Sequence, residues 1–244
     1  MDKETENWQS RSELLLGSDT VKAFRTKRVA VVGLGGVGSF AAEMIARSGV
    51  GNMLLLDSDK VSITNKNRQL IALDSTVGFY KCDVLGERLR DINPEIYLSM
   101  VKEFLTEDNV ESLLSPFGAD YIVDAIDTLS PKISLIKYAL TNSIPVVSSM
   151  GAGAKFDGTR LQITDISKSY NCPLAYMLRK RLGREGIRKG FKVVFSSELP
   201  DSNAILPVQE QNKKSVVGTV PYLPAMFGAL CAQEVVCHFA GHKY

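Results

Sequence analysis

Gly33-Leu34-Gly35-Gly36-Val37-Gly38 follows directly on the apolar run Val29-Ala30-Val31-Val32 and leads into Ser39-Phe40-Ala41-Ala42. The apolar run reads as a buried strand. The small and apolar residues from Val37 to about Arg47 read as a helix packed closely on a sheet. Glycines at these spacings, between a strand and a helix, let the backbone approach a phosphate that side chains would otherwise block. The helix N-terminus then offers free N–H groups and partial positive charge. Asp57 closes the next apolar run, Met53-Leu54-Leu55-Leu56, about twenty residues on, where a carboxylate can accept hydrogen bonds from ribose hydroxyls. The glycine pattern alone also fits a tight turn without a ligand; its placement and Asp57 favour an adenine-nucleotide site.

Working outward, Gly78–Ile92 reads as a helix, and Tyr97–Val101, Tyr121–Ala125 and Pro145–Ser149 as further strands. Ser130-Pro131 reads as a helix start, with serine at the cap and proline at the first position. Strands alternating with helices place the chain in the α/β class, as a Rossmann-like, doubly wound, mainly parallel sheet. After Gly158 the alternation changes. Thr159–Ile166 and Phe191–Phe195 read as strands with basic helical sequence between them, a C-terminal extension of mixed strands and helices. Residues 198–215 are polar, with Pro200 and Pro207, and read as a mobile loop. The resulting organisation is an N-terminal helical arm over 1–25, a nucleotide-binding unit over 26–166 and an extension of the same domain over 167–244. In the arm Leu14, Leu15, Leu16, Val21 and Phe24 alternate with charge.

Composition narrows the class. In 244 residues, 45% are apolar and 23% charged, the mix of an ordinary soluble globular protein. The charged start Met1–Glu6 lacks the apolar core of a leader peptide. The uncharged stretch Ser215–Gln233 is broken by Gly218, Pro221, Pro224 and Gly228, and reads as a loop entering a buried helix rather than a membrane span. Four cysteines fit reduced thiols in a cytoplasmic protein, and the absence of paired C-x-x-C motifs excludes a four-cysteine zinc site.

NAD is the default ligand of such a turn, but the neighbouring residues suit a triphosphate. Asn65-Lys66-Asn67-Arg68-Gln69 follows the second strand, Lys81 comes thirteen residues after Arg68, and Asp124 and Asp127 end the fourth strand. Strand ends are the ligand edge of such sheets. Cations there neutralise charge that builds on an α-phosphate under attack by a carboxylate, and a carboxylate can hold Mg²⁺. Any one of these residues alone reads as solvated surface charge; their joint placement carries the argument.

Gly33-Leu-Gly-Gly-Val-Gly-Ser39, Leu56-Asp57-Ser-Asp59, Asn65-x-Asn67-Arg68-Gln69, Lys81 and Asp124-Ala-Ile-Asp127 resemble the ThiF-type adenylating enzymes, which include ubiquitin activators and activators of sulfur-carrier proteins. The resemblance implies ATP and Mg²⁺, with Gly33, Gly35, Gly36, Gly38 and Ser39 at the phosphates and Asp57 and Asp59 beside the ribose. It implies Asn67, Arg68 and Lys81 on the phosphates and Asp127 at the metal, with Arg68, Lys81 and Asp127 catalytic. Arg11 matches an arginine lent to a partner subunit's ATP, implying a homodimer with the N-terminal arm in the contact and Trp8 as an anchor. Ser148-Ser-Met-Gly-Ala-Gly-Ala154, Gln162–Ile166, Cys172-Pro-Leu-Ala175 and Val193–Glu198 resemble the tRNA threonylcarbamoyladenosine dehydratases within that group, which adenylate a threonine carboxylate on tRNA and let a ring close with loss of AMP.

Charge distribution agrees with a large anionic substrate. Lys168, Arg179, Lys180, Arg181, Arg184, Arg188, Lys189 and Lys192 face a single acid, Glu185, so this stretch carries +7 in a chain of net +2. Such a patch is the footprint of phosphate-backbone binding, or else a solvated helix face. Gly183, Gly186 and Gly190 suggest a segment that orders on tRNA. Cys172 reads as a structural thiol before a nucleophile. Cys231, His238 and His242 share a helical face, with Cys237 beside them, a geometry usable for a metal; the other reading is an apolar helix end that frays. Two other readings stay open: an activator of a small ubiquitin-like or sulfur-carrier protein, and an NAD-binding regulatory protein. Also open are a sulfur-transfer protein partner and a monovalent cation near the C-terminal segment.

Overall fold

The computed structural model describes residues 7–210 and 213–242; Met1–Glu6, with its charged start, lies outside them. Parallel strands β1 (Arg28–Val32), β2 (Asn52–Leu56), β3 (Tyr97–Val101), β4 (Tyr121–Asp124), β5 (Val146–Ser149) and β7 (Lys192–Ser196) form one sheet with β6 (Leu161–Asp165). The order is β3-β2-β1-β4-β5-β7-β6, and β6 alone runs antiparallel, against β7. The doubly wound expectation is met. The order reverses direction between β1 and β4, so the crevice beyond their C-terminal ends is the ligand position of this architecture.

The strands read as continuous apolar runs because both faces are covered. Val29 and Val31 point into one core cluster, Ala30 and Val32 into the other. Helices α3 (Gly38–Arg47), α4 (Lys81–Ile92) and α8 (Tyr222–Phe239) cover the first face. Helices α5 (Val110–Leu114), α6 (Leu129–Thr141) and α7 (Pro173–Arg184) cover the second. Helix α8 crosses α3 closely at Gly228, where a Cβ would lie 2.5 Å from the Val37 carbonyl oxygen.

Three readings change. The arm is two short helices, α1 (Ser10–Leu16) and α2 (Ser18–Phe24), broken at Gly17. Val21 and Phe24 enter the core, but α1 buries none of its residues and Leu14 and Leu15 are exposed. Helix α6 is capped two residues earlier than expected, at Thr128 instead of Ser130, and starts at Leu129 with Pro131 in its first turn, where the missing N–H costs nothing. Within 198–215, β8 (Ile205–Glu210) pairs antiparallel with β9 (Lys213–Val217); the polar sequence hid a hairpin. The C-terminal extension is part of the main layer, since β7 lies between β5 and β6.

Candidate active site

The glycines of the turn have two different tasks. Gly33 has φ +89° and a Cβ there would sit 2.8 Å from the Ala125 carbonyl oxygen; at Gly38 a Cβ would sit 1.7 Å from the Gly33 carbonyl oxygen. Both are demanded by the fold, because the turn is pressed onto the end of β4. At Gly35 the nearest atom to a Cβ would be Gln69 Nε2, at 3.6 Å. At Gly36 it would meet Pro224 Cβ at 3.0 Å and the Arg68 carbonyl oxygen and Cγ at 3.2 and 3.4 Å. The Asn67–Gln69 segment therefore lies against the turn. Ser39 is fully buried and its hydroxyl donates to the Gly35 carbonyl oxygen at 2.7 Å, closing the turn.

Asp57, just past β2, ties this edge together. Its Oδ2 accepts from the Leu34 N–H at 2.6 Å and its Oδ1 from the Asp59 N–H at 2.8 Å. Lys81 Nζ, buried at the start of α4, lies 2.7 Å from Asp59 Oδ2 and 3.5 Å from Asp57 Oδ2. Burial lifts the Asp57 carboxyl above the usual carboxylate range, with Lys81 and the two N–H donors opposing it. Cys82, next on α4, has its thiol pushed up to about 11, chiefly by burial; it is a packed thiol donating toward the Asp57 carbonyl oxygen at 3.3 Å. Arg68 is half-buried, and its Nη1 donates to the Thr64 carbonyl oxygen and to Asn67 Oδ1, at 3.0 and 2.9 Å. Asn67 in turn donates to the Thr219 carbonyl oxygen at 3.4 Å. Asp127 is exposed in the loop after β4, two residues beyond the Ala125 that packs on Gly33, and pairs with no cation among the described residues. The expected set Gly33–Ser39, Asp57, Asp59, Asn67, Arg68, Lys81 and Asp127 thus shares one edge of the sheet.

Sequence reasoning singled out Asp124 but missed Lys132 and the other partners that surround it. Lys132 and Asp124 are both fully buried and paired at 2.9 Å. Ser148 donates to Asp124 Oδ2 at 2.6 Å, Asp124 Oδ1 accepts from the Ile126 N–H at 3.1 Å, and Lys132 donates to the Ile126 carbonyl oxygen at 2.8 Å. This network clamps the loop that carries Asp127, so Asp124 serves the loop rather than standing free as a base. A buried lysine eight residues after an aspartate has no sequence signature, since lysine is rarely buried. Gln69, quoted in the motif without a role, is buried; its Oε1 lacks a hydrogen-bond partner and its amide faces Gly35.

Cys172 caps α7, with Pro173 at the first helical position, and is buried. Beside it Lys155, also buried, donates to the Ser196 carbonyl oxygen at 2.9 Å; burial lowers its pKa, with Cys172 and Glu198 opposing. Cys231 is fully buried and burial drives its thiol upward. Among the described residues no three His, Cys, Asp or Glu side chains gather to hold a metal, so the tail residues Cys231, Cys237, His238 and His242 form no such site. No helix among the described residues is long and apolar enough to cross a membrane.

Two expected groups do not join this edge. Gln9 packs on Gly49, just past the far end of α3, so the exposed Arg11 on α1 lies near the opposite edge from its own glycine turn. The basic stretch Lys168–Lys192 also runs to that opposite edge, where β7 begins.

A glycine turn closed by Asp57, with Arg68, Lys81 and Asp127 at the same strand ends, has the architecture of a nucleotide-binding α/β protein. The ThiF family model matches residues 9–244, and the chain belongs to the ThiF family. It is 49% identical over 207 residues, 85% of its length and 79% of the relative's, to the tRNA threonylcarbamoyladenosine dehydratase of Bacillus subtilis (strain 168). It also resembles solved structures of the E. coli tRNA N6-threonylcarbamoyladenosine dehydratase. With the ATP complex it shares 36% identity and a TM-score of 0.89, covering 98% of this chain and 96% of that one. With the AMP complex the values are 37% and 0.86, over 99% and 98%.

Proposed function

We propose that the chain is an ATP-dependent enzyme that cyclises N6-threonylcarbamoyladenosine at position 37 of tRNA. The threonine carboxylate oxygen attacks the α-phosphorus of ATP and pyrophosphate leaves. The neighbouring carbamoyl group then attacks the activated carbonyl, the ring closes and AMP leaves, so the tRNA loses one water in all. The nucleophile for the second step is in the same molecule as the activated carbonyl, so no covalent enzyme intermediate is needed. The burial of Cys172 is in keeping with that. ATP and AMP, held by the two similar solved structures, are the substrate and product this sequence of steps requires.

The single observation that carries the reading is the packing of Arg68 onto Gly36 of the turn. Its carbonyl oxygen and Cγ lie against the turn, so a guanidinium released from the Thr64 and Asn67 oxygens is within a side chain's reach of a phosphate held there. In this reading Asp57 accepts from the ribose, with Asp59 holding Lys81 in place, and Asn67, Arg68 and Lys81 take the phosphate oxygens. Charge growing on the α-phosphate is met by cations already in position, which is how such sites lower a barrier. Asp127, exposed and unpaired, suits Mg²⁺, which binds through one or two carboxylates and substrate phosphates and would neutralise phosphate charge. Arg11 would serve the site of a second copy, in a cytoplasmic homodimer whose contact includes Trp8, Leu14 and Leu15, all exposed on the single chain.

The test is to incubate the protein with ATP, Mg²⁺ and tRNA carrying the modification, digest the RNA and weigh its nucleosides. Loss of one water from the modified adenosine, with one AMP formed per event, is expected. AMP formation that requires a small carrier protein and ignores tRNA would replace this reading with that of a carrier-protein activator. ATP-independent binding of NAD would replace it with the regulatory one.

A further inference from the structure

Strand β5 ends on the same side of the sheet as the glycine turn, since Val32, Asp124 and Ser148 stand in register across β1, β4 and β5. The segment that follows, Met150-Gly151-Ala152-Gly153-Ala154-Lys155, has no task in the chemistry described so far. It is pinned at two points: the Met150 N–H donates to the Val194 carbonyl oxygen and the Ala154 N–H to the Gly218 carbonyl oxygen, both at 2.8 Å. Between these anchors the half-buried Gly151, Ala152 and Gly153 donate their N–H groups to no acceptor among the described residues. Lys155, only 2% exposed, closes the segment. Its ammonium donates to the Ser196 carbonyl oxygen at 2.9 Å and to the Asn171 carbonyl oxygen at 3.5 Å. Among the described residues no carboxylate forms an ion pair with it. Glu198 instead accepts from the Phe156 and Asp157 N–H groups, at 3.0 and 2.8 Å.

The two glycines of this segment differ as Gly38 and Gly35 do. A Cβ at Gly153 would lie 2.6 Å from Val217 Cγ1, so packing on the β8–β9 hairpin demands glycine there. At Gly151 a Cβ would meet only Cys172 Sγ, at 3.8 Å, and φ is not positive. Neither packing nor backbone conformation asks for glycine at 151; close approach of a ligand does. Asn171, whose carbonyl oxygen Lys155 meets, adjoins Cys172, whose sulfur faces Gly151, so the buried charge and the free N–H groups are neighbours. Buried or half-buried N–H groups need an acceptor, and successive ones beside a positive charge favour an oxygen that carries negative charge. Neighbouring strands lie about 5 Å apart, which puts the end of β5 about 5 Å from that of β4 and about 10 Å from that of β1. With the ribose at Asp57, past β2, and the phosphates across β1 and β4, the group joined to the α-phosphate comes next, over β5.

We propose that the N–H groups of Gly151, Ala152 and Gly153 form the oxyanion site of the second step, receiving the carbonyl oxygen of the adenylated threonine as the ring closes. The proposal rests on the cyclase reading above and assigns the half of its chemistry that Arg68, Lys81 and Asp127 do not serve. As the carbamoyl group bonds to the carbonyl carbon, the carbonyl π pair moves onto oxygen. The pair returns as the carbon–oxygen bond to AMP breaks, AMP leaves with the bonding electrons and the carbamoyl proton passes to water. Charge on that oxygen therefore grows in the second step. In the first step it falls, because a carboxylate becomes a neutral acyl group. Donors placed there favour ring closure and give no help to adenylation.

The test is Gly151→Ala in the full chain, whose added methyl has room in the fold but stands before the free N–H groups; a wild-type melt checks the folding. Single turnovers with modified tRNA and ATP labelled at the α-phosphorus follow the label into tRNA and then out as free AMP. In the variant the label should enter within about threefold of the wild-type rate and leave about tenfold or more slowly, part of the effect of removing a whole oxyanion donor. Adenylated tRNA should then accumulate in acid-quenched samples. Release at the wild-type rate would overturn the proposal, as would equal slowing of entry and release, which marks a general disturbance of the site. If the wild type itself never passes label to tRNA, the cyclase reading is what fails.

Discussion

Gly38 and Gly35 sit three residues apart in one turn and should fail in different ways when each is given a methyl group. At Gly38 the new Cβ would lie 1.7 Å from the Gly33 carbonyl oxygen and 3.1 Å from Ala125 Cβ. Gly38→Ala should cost about 3 kcal/mol or more of unfolding free energy, at the upper end of overpacking penalties. At Gly35 the nearest atom is at ordinary contact distance, so Gly35→Ala should unfold within about 0.5 kcal/mol of the wild type. It should nonetheless bind ATP at least about tenfold more weakly, a loss of roughly 1.4 kcal/mol, because the methyl occupies phosphate space. Denaturant melts and calorimetric ATP titrations separate the two. Equal behaviour of the two variants would contradict the division of the turn into a folding half and a binding half. The sequence made the turn itself legible, because small residues between a strand and a helix leave a pattern. It did not say which glycine serves which end, since that depends on Ala125 and Arg68, distant in the chain.

Helix α6 and strand β4 are joined by the buried Asp124–Lys132 pair, and α3 and α4 by Glu43 with Arg88, Glu43 also pairing with Arg47 on its own helix. The two links differ in kind. Lys132→Met leaves the buried Asp124 without its cation, with only the Ser148 and Ile126 hydrogen bonds, and should cost about 3–5 kcal/mol. Adding Asp124→Leu should recover most of that loss, but not activity, because the Ile126 backbone loses its anchor and Asp127 its position. Full activity in the double variant would remove the network from the account of the site.

Glu43 lies below the ordinary glutamate range: burial pushes it up, and the hydrogen bonds and charges of Arg88 and Arg47 outweigh that. A depressed folded-state value means the ionised group adds stability above the unfolded-state value, and loses it as the pH drops through the folded one. Glu43→Gln should therefore lose about 0.5–1 kcal/mol at neutral pH, screened by salt because both arginines are about half exposed. The wild type and variant should converge at acid pH, as melts across pH would show. At this scale the parallel strands were readable as unbroken apolar runs, while the β8–β9 hairpin was not, because its residues are polar or interrupted by proline. The register of a lysine with an aspartate across an element boundary leaves no periodic trace at all.

The whole molecule places the glycine turn at one edge of the sheet and both Arg11 and the end of the basic stretch Lys168–Lys192 toward the other. The charge of the basic stretch was evident in the sequence, but its location was not, since it follows from β7 inserting between β5 and β6 out of chain order. An arginine on the far side of its own subunit can reach a nucleotide site only in a second copy, which is the role proposed for Arg11. Arg11→Ala and Arg68→Ala should each be inactive alone, yet mixing the two should restore activity, since one site in each mixed dimer then holds both arginines. An inactive mixture, with mixed dimers demonstrated by mass, would contradict the shared site.

The proposed chemistry requires backbone amides, Arg68, Lys81 and Asp127 to close on one triphosphate. The most direct measurement is tRNA-dependent AMP formation by Arg68→Ala, Lys81→Ala and Asp127→Asn, each checked for a wild-type melt and circular dichroism spectrum. All three should fold normally and form AMP at least about a hundredfold more slowly than the wild type, the scale of removing one preorganised charge from such a site. Wild-type rates in any of the three would show that its side chain does not act on the phosphates, and retention in all three would leave the fold without the proposed chemistry.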